Sequence, residues 1–212
     1  PTEGGKEFYG YALHIVSLFE DMEKRIKNWD IIGTIRIGTS ITIGTHILPV
    51  LIRKFQSQLP GLKIKAVINK SSDIEQHILD NTIDIGLIET QPEQSDILSI
   101  PFMRDSLCAI VSYNHPLAEK ESVSLAQLAN YPFLMREKGS AGLEILEPCF
   151  SLLQISIHPI WESSSTQAIV KGVSEELGVA VLPYLLVERD IREKVVKMLP
   201  LQQPLHRDLN VI

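Results

Sequence analysis

The fold is indicated first by three short apolar segments, TIRIG (34–38), LKIKAVI (62–68) and DIGLI (84–88). They are rich in isoleucine and valine, which favour β-strands, and the third is apolar on both faces, as buried parallel strands are. Residues 48–59 carry apolar side chains along one helical face, and residues 72–80 form a second helical pattern. Strands and helices therefore alternate, which predicts a βαβαβ unit in an α/β fold with a mostly parallel sheet.

A second set of alternating elements follows this unit. We expect strands at 107–112, 133–135, 157–161 and 178–182, helices near 124–130, 141–153, 165–175 and 184–193, and a last strand at 209–212. No helical pattern occurs between Ile88 and Leu107, so we place the crossing between two similar subdomains around residues 97–104. The sequence therefore predicts two Rossmann-like subdomains, 31–101 and 102–212, with a central cleft between them.

The first thirty residues follow a different pattern. Seven apolar residues are spaced alternately four and three apart: Phe8, Ala12, Ile15, Phe19, Met22, Ile26 and Trp29. A repeat of about 3.5 residues makes a narrow seam that is typical of pairing with a partner helix. We predict a linker and dimerisation helix over residues 7–29, within a segment 1–30. An ordinary amphipathic helix that packs on its own domain is the alternative.

Composition excludes several classes of function. Of the 212 residues, 44% are hydrophobic and 22% are charged, which is typical of globular proteins and not of disordered chains. The net charge is −6 and no basic stripe occurs, so this chain itself is not expected to bind nucleic acid. No apolar stretch approaches the ~20 residues of a membrane span, and no signal peptide is evident. The two cysteines, Cys108 and Cys149, exclude a disulfide scaffold. We expect a cytoplasmic protein with no membrane partner.

Several short motifs occur together in a characteristic order and spacing. They are Thr2-Glu3-Gly4-Gly5 before the seam helix, residues 33–38, Leu48-Pro49, Phe55, Pro60-Gly61, residues 84–88, residues 115–118, Gly139-Ser140 and residues 178–183. This series, which covers essentially the whole chain, resembles the regulatory part of LysR-type transcriptional regulators. Each motif alone is weak, and the resemblance depends on their common order.

The resemblance implies an effector-binding (co-inducer) domain like type II periplasmic binding proteins, preceded by a linker helix. It implies a homodimer or homotetramer that contacts DNA only through an N-terminal winged helix-turn-helix, which this sequence lacks. The family's C-terminal helix that returns to the first subdomain has no counterpart after the strand at 209–212. We therefore expect the edge of the first subdomain to pack differently from that of its relatives.

Candidate effector contacts lie where strands end. Ligands of open α/β sheets bind beyond the carboxyl ends of strands, near free N–H groups of the following helices. After the first strand, Thr39, Ser40 and Thr42 offer three hydroxyls in a loop without charge. Such a loop suits a small carboxylate, sulfate-like or phosphate-like anion, and the resemblance also places effector contacts here. Helix capping by Ser40 or Thr42 is the alternative.

Two further candidates follow the second and third strands. Ser71 opens the next helix, although Ser72 and Glu75 also form a capping-box pattern at that point. Glu89 occupies a position where the family often has a small polar residue. Its carboxylate would accept a hydrogen bond from an effector, pair with a cation across the cleft, or lie in solvent.

The opposite wall of the cleft supplies the remaining candidates. Ser140 begins a helix with a hydroxyl and free N–H groups, and Pro183 ends a neighbouring strand. Lys138 and Arg136 are the only cations that the sequence places near the cleft, and solvated loop charges are the alternative for both.

Nothing in the sequence indicates catalysis. The six histidines have no serine, cysteine or carboxylate beside them in a triad or dyad pattern, and no metal-binding motif occurs. We expect no catalytic residue, no cofactor and no metal. The main hypothesis is an effector-sensing domain that binds a small anionic metabolite. The alternatives are a solute-binding protein of a transporter and an enzyme that acts on small metabolites.

Overall fold

The computed structural model describes residues 2–27 and 33–212. Helix α1 (Glu3–Lys27) precedes an α/β body. The elements of that body are β1 (Thr34–Thr39), α2 (Ile41–His46), α3 (Leu48–Gln58), β2 (Lys63–Ile68), α4 (Ser71–Leu79), β3 (Ile85–Ile88), β4 (Ile100–Val111), α5 (Leu125–Leu128), β5 (Leu134–Arg136), α6 (Ala141–Leu152), β6 (Trp161–Ser163), α7 (Thr166–Ser174), β7 (Ala180–Pro183), α8 (Tyr184–Arg192), β8 (Lys197–Leu199) and β9 (Leu205–Val211).

The main sheet is mixed rather than mostly parallel. Its strand order is β2-β1-β3-β9-β4-β7, and β8 also pairs with β4. Strands β1, β2 and β3 are parallel, as predicted, whereas β9 is antiparallel to both β3 and β4. Strands β7 and β8 are also antiparallel to β4, and β5 and β6 form a separate parallel pair. The sheet includes antiparallel strands because β4 and β9, which pair with each other, connect the two halves of the body.

Strand β4 crosses from the first half to the second in one run. Its first part pairs with β9 from Ile100↔Val211 to Leu107↔Leu205, and its second part pairs with β7 and β8. The predicted crossing at 97–104 therefore lies on an extended strand, and the predicted strand start at residue 107 is wrong. The predicted subdomain boundary at residues 101 and 102 falls inside β4, while the one at residues 30 and 31 lies outside the described residues.

Four local predictions differ from the structure. The predicted strand 157–161 is wrong, since β6 begins only at Trp161, and Ile157 packs against the core from a loop. Strand β8 was not predicted, and β9 begins at Leu205, four residues before the predicted start. The capping box at Ser72 is absent, because α4 starts at Ser71 and its N-cap is Lys70.

The core lies on both faces of β4 in the second half of the body. Leu107, Ala109 and Val111 join one apolar cluster, whereas Cys108 and Ile110 join the other. This alternation follows the two-residue period of a strand whose sheet is covered on both faces. The first half has two smaller clusters, one around Ile43, Leu48, Leu87 and Leu209 and one around Ile74, Ile83 and Ile88.

The predicted N-terminal helix is present over Glu3–Lys27. Its seam residues Phe8, Ile15, Phe19 and Met22 are exposed. The Ile26 side chain and Trp29 lie outside the described residues, as do residues 28–29 of the predicted helix. Pairing of this seam with a partner helix stays a prediction.

Glycine 178 allows a close approach of two backbone segments before β7. A Cβ atom at Gly178 would lie 2.2 Å from the Pro132 carbonyl oxygen. We expect Gly178→Ala to lower the free energy of unfolding by about 1–3 kcal/mol, because a backbone atom cannot move aside as a side chain can. Urea unfolding measures the change. Gly33→Ala is the control, since a Cβ there has no neighbour within 4 Å, and equal stability of the two variants would contradict the prediction.

Candidate functional site

A cavity of about 350 Å³ lies between the two halves of the body. One wall comes from the residues that follow β1, β2 and β3 and from the start of α4, including Ser40, Ser71 and Glu89. The other wall comes from the start of α6 and the end of β7, including Ser140 and Pro183. Arg207 of β9, on a crossing strand, lines the cavity between them. The predicted central cleft is therefore present.

The structure brings six of the eight predicted site residues to this cavity: Ser40, Thr42, Ser71, Glu89, Ser140 and Pro183. Thr39 and Lys138 do not line it. The Thr39 side chain is buried and its hydroxyl donates to the Ser40 carbonyl at 2.9 Å, whereas Lys138 is exposed.

Two buried hydroxyls on opposite walls have no well-formed hydrogen bond among the described residues. Ser40 is 3% exposed and Ser140 is 9% exposed, and the Oγ atom of each lacks a partner. Both serines are helix N-caps, of α2 and α6, yet neither side chain makes a capping bond. The capping alternative for Ser40 is therefore wrong. Since buried polar groups usually have partners, these two hydroxyls are suited to a ligand.

A buried ionic network holds the base of the cavity. The Arg207 side chain is 2% exposed; its Nη1 donates to Glu89, and its Nε and Nη2 donate to Asp105 Oδ2 at 3.0 and 2.8 Å. Its Nη2 also donates to Thr42 Oγ1 at 3.2 Å, and the Thr42 backbone N–H donates to Glu89 Oε1 at 2.8 Å. Thr42 and Glu89 are thus engaged with Arg207, a cation at the base of the cavity rather than across the cleft, so the solvent-exposed alternative for Glu89 is wrong.

The network sets the ionisation of Glu89. Burial alone raises the pKa of its carboxyl, but the Arg207 charge and hydrogen bonding from Thr42 outweigh burial and hold the pKa below its ordinary value. The nearby Ser40 hydroxyl contributes in the same direction without a well-formed hydrogen bond. Glu89 is therefore a carboxylate at neutral pH.

Arg207 is a buried, cavity-lining cation that the sequence analysis missed. The prediction that Arg136 and Lys138 are the only cations near the cleft is wrong. Leu205, Arg207 and Leu209 are every second residue of β9. Because side chains two residues apart in a strand lie on the same face, Arg207 shares the face of the two leucines. The predicted strand starts only at residue 209, so Arg207 falls outside it, whereas β9 starts at Leu205.

Arg136 also lines the cavity, on its second wall. It is buried and pairs with Glu137, with Nε–Oε2 and Nη2–Oε1 distances of 2.9 and 3.1 Å. Its Nη1 donates to Thr166 Oγ1 at 3.0 Å. The solvated alternative is therefore wrong for Arg136, and its charge is already neutralised by a carboxylate.

The described residues contain no group of three or more His, Cys, Asp or Glu side chains that could hold a metal ion. Burial raises the pKa of the Cys108 thiol to about 12, so this buried sulfur is a poor nucleophile. Its Sγ donates to the Leu182 carbonyl at 3.6 Å. The cavity offers hydroxyls and charged side chains for binding.

Residues 30–212 match the family model described as the LysR substrate binding domain. The chain belongs to this family. It is 28% identical over 200 residues to the HTH-type transcriptional regulator CysL of Bacillus subtilis, covering 93% of this chain and 67% of that protein. It is 31% identical over 191 residues to the uncharacterized HTH-type transcriptional regulator YeiE of Escherichia coli K12, covering 90% of this chain and 64% of that protein. The chain thus spans about two thirds of the length of these relatives.

The fold is similar to that of solved LysR-type structures. The Synechocystis PCC6803 CcmR regulatory domain in complex with 2-PG matches with a TM-score of 0.77 at 23% identity, covering 84% of this chain and 86% of that one. These comparisons confirm the resemblance and the predicted α/β, type II periplasmic-binding-protein-like fold class.

The lowered pKa of Glu89 predicts a pH-dependent contribution to stability. The contribution is fully present above the unfolded pKa of about 4.3 and is lost as the pH falls through the lower folded value. We expect Glu89→Gln to lower the free energy of unfolding by about 1–3 kcal/mol at neutral pH, with a difference that shrinks below about pH 4.

Urea unfolding of the original chain and the variant across this pH range measures the difference. Exposed Glu121→Gln serves as the control for a change of carboxylate to amide. A difference between Glu89→Gln and the original chain that stays constant at every pH would contradict the assigned ionisation.

Proposed function

We propose that this chain is the effector-sensing part of a LysR-type transcriptional regulator and that it binds a small metabolite in the cavity between its halves. The observation that carries the proposal is the pair of unpartnered buried hydroxyls, Ser40 and Ser140, on opposite walls of that cavity. Membership of the LysR substrate binding domain family supports it, and so do relatives that are named transcriptional regulators.

The proposed effector contacts are hydroxyls at the starts of three helices. Ser40 and Ser140 each offer a free donor, and Ser71 Oγ, which accepts from the Glu89 N–H at 3.4 Å, can still donate its own proton. A carboxylate or another oxyanion suits these donors. Thr42 and Glu89 hold the first wall in place through Arg207, and Pro183 shapes the second wall. Thr39 and Lys138 are left out of the proposal because they do not line the cavity.

Effector binding would change how the two halves are arranged. A ligand that bridges Ser40 and Ser140 bonds to both walls at once and favours a closed cleft. The crossing strands transmit the change, because Arg207 contacts Thr42 and Glu89 of one half, while Asp105 accepts from the Leu185 N–H of α8 in the other half at 3.4 Å. A coupling free energy of about 1–3 kcal/mol is enough to alter the spacing of attached DNA-binding domains.

The solute-binding protein of a transporter is less well supported, because the family model and the named relatives concern regulators. We propose that the domain catalyses no reaction, needs no cofactor and works in the cytoplasm, where a regulator meets DNA. Separately, no described helix has the length and apolar character needed to cross a bilayer.

Removing the unpartnered hydroxyls should separate binding from stability. We expect Ser40→Ala and Ser140→Ala each to weaken effector binding about tenfold, because each removes one donor. The free energy of unfolding should change by less than about 0.5 kcal/mol, since neither hydroxyl has a hydrogen bond to lose.

Thermal-shift screening of sulfur, nitrogen and aromatic-acid metabolites provides a ligand, and calorimetry measures the affinities of the variants for it. Ser57→Ala is the matched control, because this exposed serine lies on α3 outside the cavity. Unchanged affinity in both cavity variants would remove these hydroxyls from the site.

The seam of α1 is proposed to pair two copies of the chain. Ile15→Glu combined with Phe19→Glu places charges on the seam, whereas Leu13→Glu places one on the opposite side of the same helix, at a similarly exposed position. We expect sedimentation equilibrium to show a dimer for the original chain and for the Leu13 variant, and a monomer for the double variant. The reason is that burying unpaired carboxylates between two paired helices destabilises the dimer. A dimer that survives the double substitution would contradict the seam.

A further inference from the structure

The ionisable side chains around the cavity are unevenly balanced. Among the described residues that line it, three are cationic and five are acidic: Lys70, Arg136 and Arg207 against Glu75, Glu89, Glu93, Glu137 and Glu144. A site that receives a purely anionic ligand is expected to carry an excess of positive charge. This cavity has the opposite excess.

Both arginines are already neutralised by carboxylates of the protein. Arg207 pairs with Glu89 and with Asp105, which lies behind it, and Arg136 pairs with Glu137. The charged side chains that remain to face a ligand are one cation, the exposed Lys70, and three acids, Glu75, Glu93 and Glu144. Three acidic side chains against one cationic side chain remain, so pairing does not remove the excess of carboxylates.

Glu75 is the buried member of the remaining acids. It is 5% exposed, and no cation among the described residues lies within ion-pair distance of its carboxylate. Its Oε2 accepts a hydrogen bond from the Glu93 backbone N–H at 2.8 Å. Burial raises the pKa of this carboxyl, as expected for a charge that has lost water without gaining a cation. A buried carboxylate that has backbone hydrogen bonds but no cation is suited to bind a positive group.

The same cavity holds the two unpartnered hydroxyls of Ser40 and Ser140, which independently point to a polar ligand and can donate to an oxyanion. We propose that the effector is a zwitterion: its carboxylate or other oxyanion accepts hydrogen bonds from these serines, and its ammonium group binds Glu75. This inference rests on the proposed function and narrows the effector to an amino-bearing class. Such a ligand supplies the missing cation without adding net negative charge to an acidic cavity.

Glu75 has one competing role, which is to anchor the segment around Glu93 by a hydrogen bond. The substitution Glu75→Gln separates the two roles. The glutamine oxygen can still accept from the Glu93 N–H, but the charge that attracts an ammonium group is gone. A purely anchoring Glu75 would leave ligand discrimination unchanged in this variant.

The test compares pairs of compounds that differ only by an amino or a hydroxyl group. The probes are L-serine and L-glycerate, L-alanine and L-lactate, L-aspartate and L-malate, L-phenylalanine and L-3-phenyllactate, and taurine and isethionate. Thermal shift finds the pairs that bind the whole chain, and calorimetry measures both members. We expect the amino member to bind about tenfold more tightly or better than its hydroxyl partner.

The variants assign that preference to Glu75. Glu75→Gln should lower the affinity for the amino member about tenfold without weakening the hydroxyl member, whereas Ser140→Ala should weaken both members. Glu121→Gln, an exposed carboxylate outside the cavity, should change neither affinity.

Hydroxyl members that bind as tightly as their amino partners would overturn the zwitterion and leave the proposed effector-sensing function standing. Amino members that bind Glu75→Gln as tightly as the original chain would overturn the role of Glu75. If no member of either set binds, the zwitterion is overturned, and the effector-sensing function is decided separately by the screen of sulfur, nitrogen and aromatic-acid metabolites.

Discussion

A single buried guanidinium, that of Arg207, constrains the relative positions of the elements that form the cavity. Removing an ion from water costs several kcal/mol unless close partners and hydrogen bonds replace the solvent. Arg207 donates four hydrogen bonds, which two carboxylates and one hydroxyl accept. These partners belong to α2, to the residue after β3 and to β4. The crossing strands can therefore shift only in ways that keep this network satisfied.

The network divides the polar residues of the cavity into two groups. Thr42 and Glu89 are engaged by Arg207 and hold the shape of one wall. Ser40 and Ser140 are left without well-formed hydrogen bonds among the described residues. Glu75 is likewise buried without a cation. The cavity thus contains hydroxyls without hydrogen-bond partners and a carboxylate without a cation, and a ligand can provide both kinds of partner.

Local patterns predicted the elements of the first half well, because each strand and helix there carries its own periodicity. Local patterns failed where a segment becomes a strand only by pairing with a distant strand. The first residues of β4 are exposed and show no alternation, and only pairing with β9 makes them a strand. At the site, the rule that ligands bind beyond strand ends found the serines. The charge pairs could not be predicted, since Glu89 and Arg207 are 118 residues apart in the sequence.

The position of β9 in the chain also determines when the domain can work. One edge of β3 is paired only after residues 210 and 211 have been synthesised, although β1, which pairs with its other edge, is much nearer in sequence. Such distant pairings slow folding, because a long loop must close before they form. A nascent polypeptide that has completed only its first three strands has no Arg207 and no second wall. The complete cavity therefore forms only in molecules whose synthesis has passed β9.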